Sequence, residues 1–294
     1  MTTDPRLVAA RFGPRAAGRT WEPVGGGFSG AAVWRGGDLA LKAWPTNFSP
    51  SHLAAIHARV ALLAHLPFVP AIHATPEGGT VVVAAGRAWD LSAWADGEPE
   101  RGVPSAARVS SAAAALAGVH AAWPSDATGP APAVLRRLRV IADWDAARPV
   151  PPGPFGDAVR RAVAVLPRHL GAARAALQPW AGRAVPLQPC LVDVRPDHVY
   201  FAGDRVVGLI DFGAVQRDHV AADLARLFGG YRVPLADALP AYRAAGGRCD
   251  EPDGFAQLLA DTGIVCAAAA WVVRGGPPTA ADRLHALLDQ LSST

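Results

Sequence analysis

Between Cys190 and Gly213 the chain reads Cys-Leu-Val-Asp193-Val-Arg195-Pro-Asp197-His198-Val-Tyr-Phe, turns at Ala202-Gly203-Asp204, and continues Arg-Val-Val-Gly-Leu-Ile-Asp211-Phe212-Gly213. Leu187–Val192, His198–Phe201 and Arg205–Ile210 are short apolar runs of strand character, and the Gly-Asp turn joins the last two as a hairpin. A hairpin from His198 to Ile210 carries the chain back on itself. The spacing therefore predicts that Asp193 and Asp211, each placed after an apolar strand, meet at one mouth. Phosphoryl transfer needs such a pair: one carboxylate orients the attacking hydroxyl, and the other holds the divalent cation that bridges the phosphates. The plain alternative is a metal-free hairpin carrying two turn aspartates.

A second signal lies upstream. Lys42 is the only lysine and Asn47 the only asparagine, while every other residue in the Lys-plus-Arg total of 28 is arginine. In a chain that uses Arg so freely, a single Lys marks a position where a compact ammonium is needed, unless it survives by chance. It lies in the strand-like run Leu39–Trp44, separated by Gly36-Gly37-Asp38 from the strand-like run Ala31–Trp34. Before that, Gly25-Gly26-Gly27-Phe28-Ser29-Gly30 links Trp21–Val24 to Ala31–Trp34. Glycines in a strand–turn–strand let backbone N–H groups approach phosphates closely, although a plain glycine-rich hairpin has the same composition. The chain has no G-x-x-x-x-G-K-[ST] sequence, so this is not a P-loop.

Taken together, these motifs resemble the aminoglycoside phosphotransferase/choline kinase family, itself related in fold to protein kinases. The resemblance covers nearly the whole chain. It implies an α+β, bilobal, protein-kinase-like fold, with a β-rich N-lobe and a mainly helical C-lobe. It places Asp193 at the catalytic position and Asp211 at the metal position, with Asp223 a structural acid on the following helix. Lys42 and the Gly25–Gly30 loop would hold the triphosphate of ATP, and Trp89 to Gly97 would lead into the adenine-binding hinge. Arg195, inside the loop, could neutralise developing charge or form a structural salt bridge. Three departures stand out. Leu191 replaces the loop's usual His. His198 replaces the usual metal-binding Asn, which implies Mn2+ as an alternative to Mg2+ if the imidazole ligates, or a hydrogen-bonding role if it does not. The helix after Lys42, Ser49 to Leu66, has no Glu or Asp to pair with the lysine; His57 lies near the expected place.

The wider pattern agrees with two lobes. Ser49 is an N-cap candidate with Pro50 in the first turn, and Leu53, Ile56, Val60, Leu63 and Leu66 follow at helical spacing up to Pro67. Val69–His73, Thr80–Val83 and Arg87–Leu91 read as strands. Ser92 to Pro104 is Gly/Pro/Asp-rich and reads as the hinge. Ser105–Ala122, Val134–Ala147 and Phe155–Leu177 read as helices separated by Pro/Gly-rich connectors, and the chain is helical again from about His219. The expected division is residues 1–97 as a nucleotide-binding lobe and 98–294 as a catalytic and substrate lobe. The acceptor pocket would come from the helices between Val220 and Leu291, with Trp271, Asp218 and Tyr231 as possible walls. Charges there are mixed, which does not favour a polycationic acceptor.

Composition excludes other classes. The net charge is only +3 and 18% of residues are charged. Arg136, Arg137 and Arg139, and Arg160 with Arg161, fall in helical stretches without interleaved aromatics, so a solvated helix face is expected and a nucleic-acid partner is not. Cys190, Cys249 and Cys266 show no C-x-x-C spacing; the first and last sit in apolar runs and read as buried thiols of a cytoplasmic protein. Met1 to Pro14 has no apolar segment of signal-peptide type. Thr262–Val273 is apolar but too short for a bilayer and reads as a buried helix, so no membrane is expected. The expectation is a monomeric or weakly dimeric ATP-dependent kinase for a hydroxyl, less readily an amine, of a small molecule. A non-catalytic nucleotide-binding protein acting through a partner is the alternative.

Overall fold

A computed structural model describes residues 4–25, 30–147, 156–249, 254–274 and 281–292. They form an α+β protein of two compact units. The first is Met1–Arg101 with Pro196–Val215, the second Gly102–Arg195 with Gln216–Thr294.

The first unit begins with short helices α1 (Pro5–Ala9) and α2 (Pro14–Ala17); Asp4 caps α1 by accepting from the Arg6 amide at 2.9 Å. Strands β1 (Glu22–Val24), β2 (Ala32–Gly36) and β3 (Leu39–Ala43) precede helix α3 (Pro50–Ala61), and β4 (Val82–Ala84) and β5 (Arg87–Ala93) follow it. The five strands form an antiparallel sheet in the order β1-β2-β3-β5-β4. Alternation along β3 buries Leu39, Leu41 and Ala43 in a core with Val8, Phe12, Trp21, Trp89 and Leu91, and turns Lys42 to the opposite face. Helix α3 starts as its sequence signals: Ser49 accepts from the His52 amide, Pro50 fills the first turn, and Leu53, Ile56 and Val60 are buried. Beyond Ala61 it gives way to turns. The strand expected over Val69–His73 reduces to one bridge, Ile72 to Ser92; Pro70 has no N–H to extend a ladder.

After β6 (Glu98–Pro99) the chain enters the second unit as α4 (Ala106–Ala122), β7 (Ala127–Pro130), α5 (Pro132–Ala147), α6 (Gly156–Leu177) and β8 (Ala184–Cys190). It returns to the first unit as the expected hairpin, β9 (Val199–Ala202) with β10 (Arg205–Leu209). β6 pairs with the free edge of β9. A Cβ on Gly97 would lie 2.6 Å from the Phe201 carbonyl oxygen, and Gly97 has φ +90°, so glycine is required at that crossing.

The chain then completes the second unit. β11 (Gln216–Asp218) joins β8 and β7 in a three-stranded sheet, followed by α7 (Ala221–Tyr231), α8 (Leu235–Ala244), α9 (Phe255–Arg274) and α10 (Ala281–Ser292). Helix α9 is longer than its apolar run suggested; by length and composition alone it could cross a membrane. It packs against α5, α6, α7 and α10. The expectation of a solvated Arg face on α5 is corrected for two residues. Arg136 reaches Asp218 at 2.5 Å, and Arg137 donates to the carbonyls of Ala133 and Leu259, tying α5 to α9. On α6, Arg160 lies on the surface, paired with Asp157, and Arg161 is half-buried and paired with Asp289.

Candidate active site

Within the first unit, Lys42, His198 and Asp211 come together. The Lys42 ammonium donates to Asp211 Oδ1 at 2.9 Å across 169 residues of sequence. His198 Nε2 lies 3.7 Å from the other oxygen, Asp211 Oδ2. β3 supplies the lysine, the turn before β9 supplies the buried imidazole, and the residues after β10 supply the acid. Asp211 has φ +63°, in the left-handed region that Asp tolerates better than most residues. From there it begins the short turn Phe212–Ala214. Two residues on, a Cβ at Gly213 would lie 2.6 Å from the Trp44 ring, so only glycine fits. The chemistry of the donor set fits a divalent cation: a carboxylate oxygen and an imidazole nitrogen lie 3.7 Å apart, a separation that two ligands of one ion, each at about 2.1 Å, can adopt.

The lysine has no carboxylate partner on α3. His57 of that helix turns to β5, where its Nε2 lies 3.1 Å from Asp90 Oδ2 and its Nδ1 lies 2.9 Å from Thr80 Oγ1. A carboxylate only accepts, so Nε2 carries the proton. Asp90 faces Lys42 across the β3–β5 ladder, and its Oδ2 also accepts from Trp44 Nε1 at 2.8 Å. Of the glycine-rich segment, Gly26, Gly27, Phe28 and Ser29 lie outside the described residues. Gly25 follows β1, and Gly30 has φ +72° with its carbonyl accepting from Arg87 at 2.9 Å.

Asp193 belongs to the second unit. Its Oδ1 accepts from Arg226 Nη2 at 2.7 Å and Nε at 3.2 Å. The loop carrying it is strained: Val192, a β-branched residue, has φ +64°, and the Asp193 amide donates to the Leu191 carbonyl at 2.8 Å in a three-residue turn. Such a conformation costs about 1–3 kcal/mol and persists only where neighbours over-determine it. Asp223, fully buried on α7, supplies that constraint. Its two oxygens accept from the amides of Leu191 (2.7 Å) and Val192 (2.6 Å). His120 on α4 completes the network, with Nε2 at 3.0 Å from Asp223 and Nδ1 at 2.8 Å from the Tyr242 hydroxyl. Arg195 is half-buried just after Asp193.

His120, Cys190 and Asp223 also form a cluster of metal-ligating residue types. Their atoms are engaged: Asp223 with the loop amides, His120 with Tyr242 and Asp223, and Cys190 Sγ with the Asp218 carbonyl at 3.4 Å. Burial pushes the Cys190 thiol well above its usual range, so it is not a ready thiolate. Of the expected pocket walls, Asp218 and Tyr231 are core residues. Burial raises the Asp218 pKa, and the Arg136 guanidinium opposes the rise.

A model described as the phosphotransferase enzyme family matches residues 20–260. No curated protein matches the chain. Among solved structures, a choline/ethanolamine kinase family protein from Mesorhizobium loti is similar at TM-score 0.61 and 20% identity, over 98% of this chain and 94% of that one. An aminoglycoside phosphotransferase from Alicyclobacillus acidocaldarius is similar at TM-score 0.62 and 16% identity, over 100% and 94%. An amicoumacin kinase, solved with AMP-PNP and Ca2+, is similar at TM-score 0.66 and 11% identity, over 99% and 94%. These likenesses extend the α+β, protein-kinase-like fold over the whole chain.

Proposed function

Because this chain belongs to the phosphotransferase enzyme family, we propose that it is an ATP-dependent kinase that phosphorylates a hydroxyl group of a small molecule. One observation carries this reading: the sole lysine is held 2.9 Å from the acid that follows the hairpin, with His198 on that acid's other oxygen. A neighbour solved with AMP-PNP and Ca2+ supports nucleotide and divalent-cation binding on this fold.

In the proposed reaction Lys42 neutralises the phosphates and the Gly25–Gly30 segment covers them. Asp211 and His198 hold the divalent cation, which supplies charge neutralisation when bound. Asp193 orients the acceptor. Arg226 occupies its Oδ1, leaving Oδ2 to take the hydroxyl proton as the acceptor oxygen bonds to the γ-phosphorus and the bond to departing ADP breaks. Arg195 would add positive charge beside the transfer.

The test is ATP turnover against a panel of small-molecule alcohols and amines with Mg2+ or Mn2+. Acceptor-dependent transfer is expected, with Asp193→Asn lowering kcat about 10²–10⁴-fold, the range for loss of a general base. Exchange of His198 for Asn should shift the preference from Mn2+ toward Mg2+. Nucleotide binding with no transfer to any acceptor, in wild type and Asp193→Asn alike, would support a non-catalytic role through a partner instead.

A further inference from the structure

The missing carboxylate on α3 leaves open what aims Lys42, and the neighbouring side chains answer it. Trp44 follows Lys42 by two positions, so both side chains leave the same face of the sheet. The ammonium sits over the Trp44 ring, 3.7 Å from its centroid. This is well inside cation–π range, and Trp is the strongest such partner.

The ring is itself fixed. Its Nε1 donates to Asp90 at 2.8 Å, and Phe48 stacks on it at 4.3 Å between centroids, tilted by 28°. Gly213 packs against its six-membered edge with no room for a Cβ. The backbone is held too: the Trp44 amide donates to Ala88 at 2.8 Å, and its carbonyl accepts from Arg87 Nε at 2.6 Å. Only 7% of Trp44 is exposed. His57 of α3 reaches the same Asp90 oxygen, so the helix bears on the lysine through Asp90 and Trp44.

We infer that Trp44 is the positioning residue for Lys42: an aromatic shelf, braced by Asp90 and His57 and closed by Gly213, does here what a helix carboxylate does by ion pairing. The inference rests on the nucleotide-binding reading of Lys42 for its consequence, but not for its geometry. The shelf itself adds no negative charge; in this structure Asp211 pairs with the ammonium. When a cation occupies Asp211, the ammonium keeps its place over the ring and its full charge is available to a phosphate. The ring also touches the glycine of Asp-Phe-Gly, so one side chain links the lysine to the segment that carries the metal-site acid.

The single lysine makes a direct test possible. Reductive methylation with 13C-formaldehyde gives one side-chain dimethyl-lysine signal, separate from that of the terminal amine. In the wild type this signal should lie upfield of a free dimethyl-lysine, shifted by the Trp44 ring. Trp44→Phe should keep a smaller upfield shift, and Trp44→Leu should abolish it. In unlabelled protein, Trp44→Leu should weaken AMP-PNP binding with Mn2+ by roughly 5–30-fold, as loss of a partly desolvated cation–π contact implies, and Trp44→Phe should restore most of it. KM for ATP should rise more than kcat falls.

A wild-type signal without the ring shift would overturn the inference even if Trp44→Leu does not fold. So would unchanged nucleotide affinity in a folded Trp44→Leu. If wild type shows the shift yet binds no nucleotide, the shelf stands and the kinase reading fails.

Discussion

The two acid-bearing regions are held in opposite ways. Around Asp223 the support is buried and backbone-directed: one carboxylate grips two loop amides, and an imidazole and a tyrosine hydroxyl grip the carboxylate. Around Asp211 the support is made of side chains: an ammonium and an imidazole face an acid that keeps 36% of its side-chain surface, and an indole backs the ammonium. The difference fits the two tasks proposed for these acids. A group that must orient a hydroxyl gains from a rigid, strained loop. A group that must take up and release a cation gains from partners that can let go. A buried network is costly to break, because removing one member leaves the others unpaired in a low-dielectric interior. A pair whose acid keeps a third of its surface in water costs less to break.

That contrast can be broken by substitution. Asp223→Ala removes a fully buried acid bonded to three groups and should destabilise the protein by about 3–5 kcal/mol, the range for breaking a buried charged network; urea unfolding followed by circular dichroism measures it. A loss under 1 kcal/mol would mean the loop does not depend on Asp223. Arg226→Met should leave stability within about 1 kcal/mol, since the pair is more than a third exposed. Its effect should appear as a fall in kcat of about 3–10-fold at constant KM for ATP, as expected for loss of a charge-assisted bond that orients Asp193. An equal change in KM would place Arg226 in nucleotide binding instead.

The smallest effect is a titration. Burial pushes the Cys266 thiol up to about 11. Its unfolded value is about 8.5. Between these limits the unfolded chain has lost the proton and the folded chain keeps it, so stability falls as pH rises from about 8.5 to about 11. Cys266→Ala should flatten part of that slope in melting temperatures taken from pH 8 to 11. An unchanged slope would show that Cys266 is not the group responsible.

The sequence exposed what is local in the chain: the hairpin after His198, the acids flanking it, the lone lysine on its strand and the Ser49 cap. It also exposed the absence of a carboxylate on α3. What it hid is long-range. His120 and Asp223 are 103 residues apart, and His57 and Asp90 are 33 apart; each pair joins elements whose contact no periodicity reveals. Trp44 looked like one more apolar residue of a strand, and only the face it shares with Lys42 hinted at more. β6, β7 and β11 are two to four residues long and set in Pro/Gly-rich or charged segments, too short for alternation to register. Arg136 and Arg137 looked like a solvated face because pattern alone cannot distinguish a guanidinium in water from one bonded to a buried carboxylate or buried carbonyls.

The most direct test is a calorimetric titration of AMP-PNP with Mn2+ into three proteins: wild type, Asp211→Asn and Asp193→Asn. Wild type should show tight, cation-dependent binding, Asp193→Asn similar binding, and Asp211→Asn at least a tenfold loss, since an amide is a poorer ligand than a carboxylate for a hard cation. Cation-independent binding, or equal affinity in all three proteins, would contradict the assignment of Asp211 to the metal and of Lys42 to the phosphates.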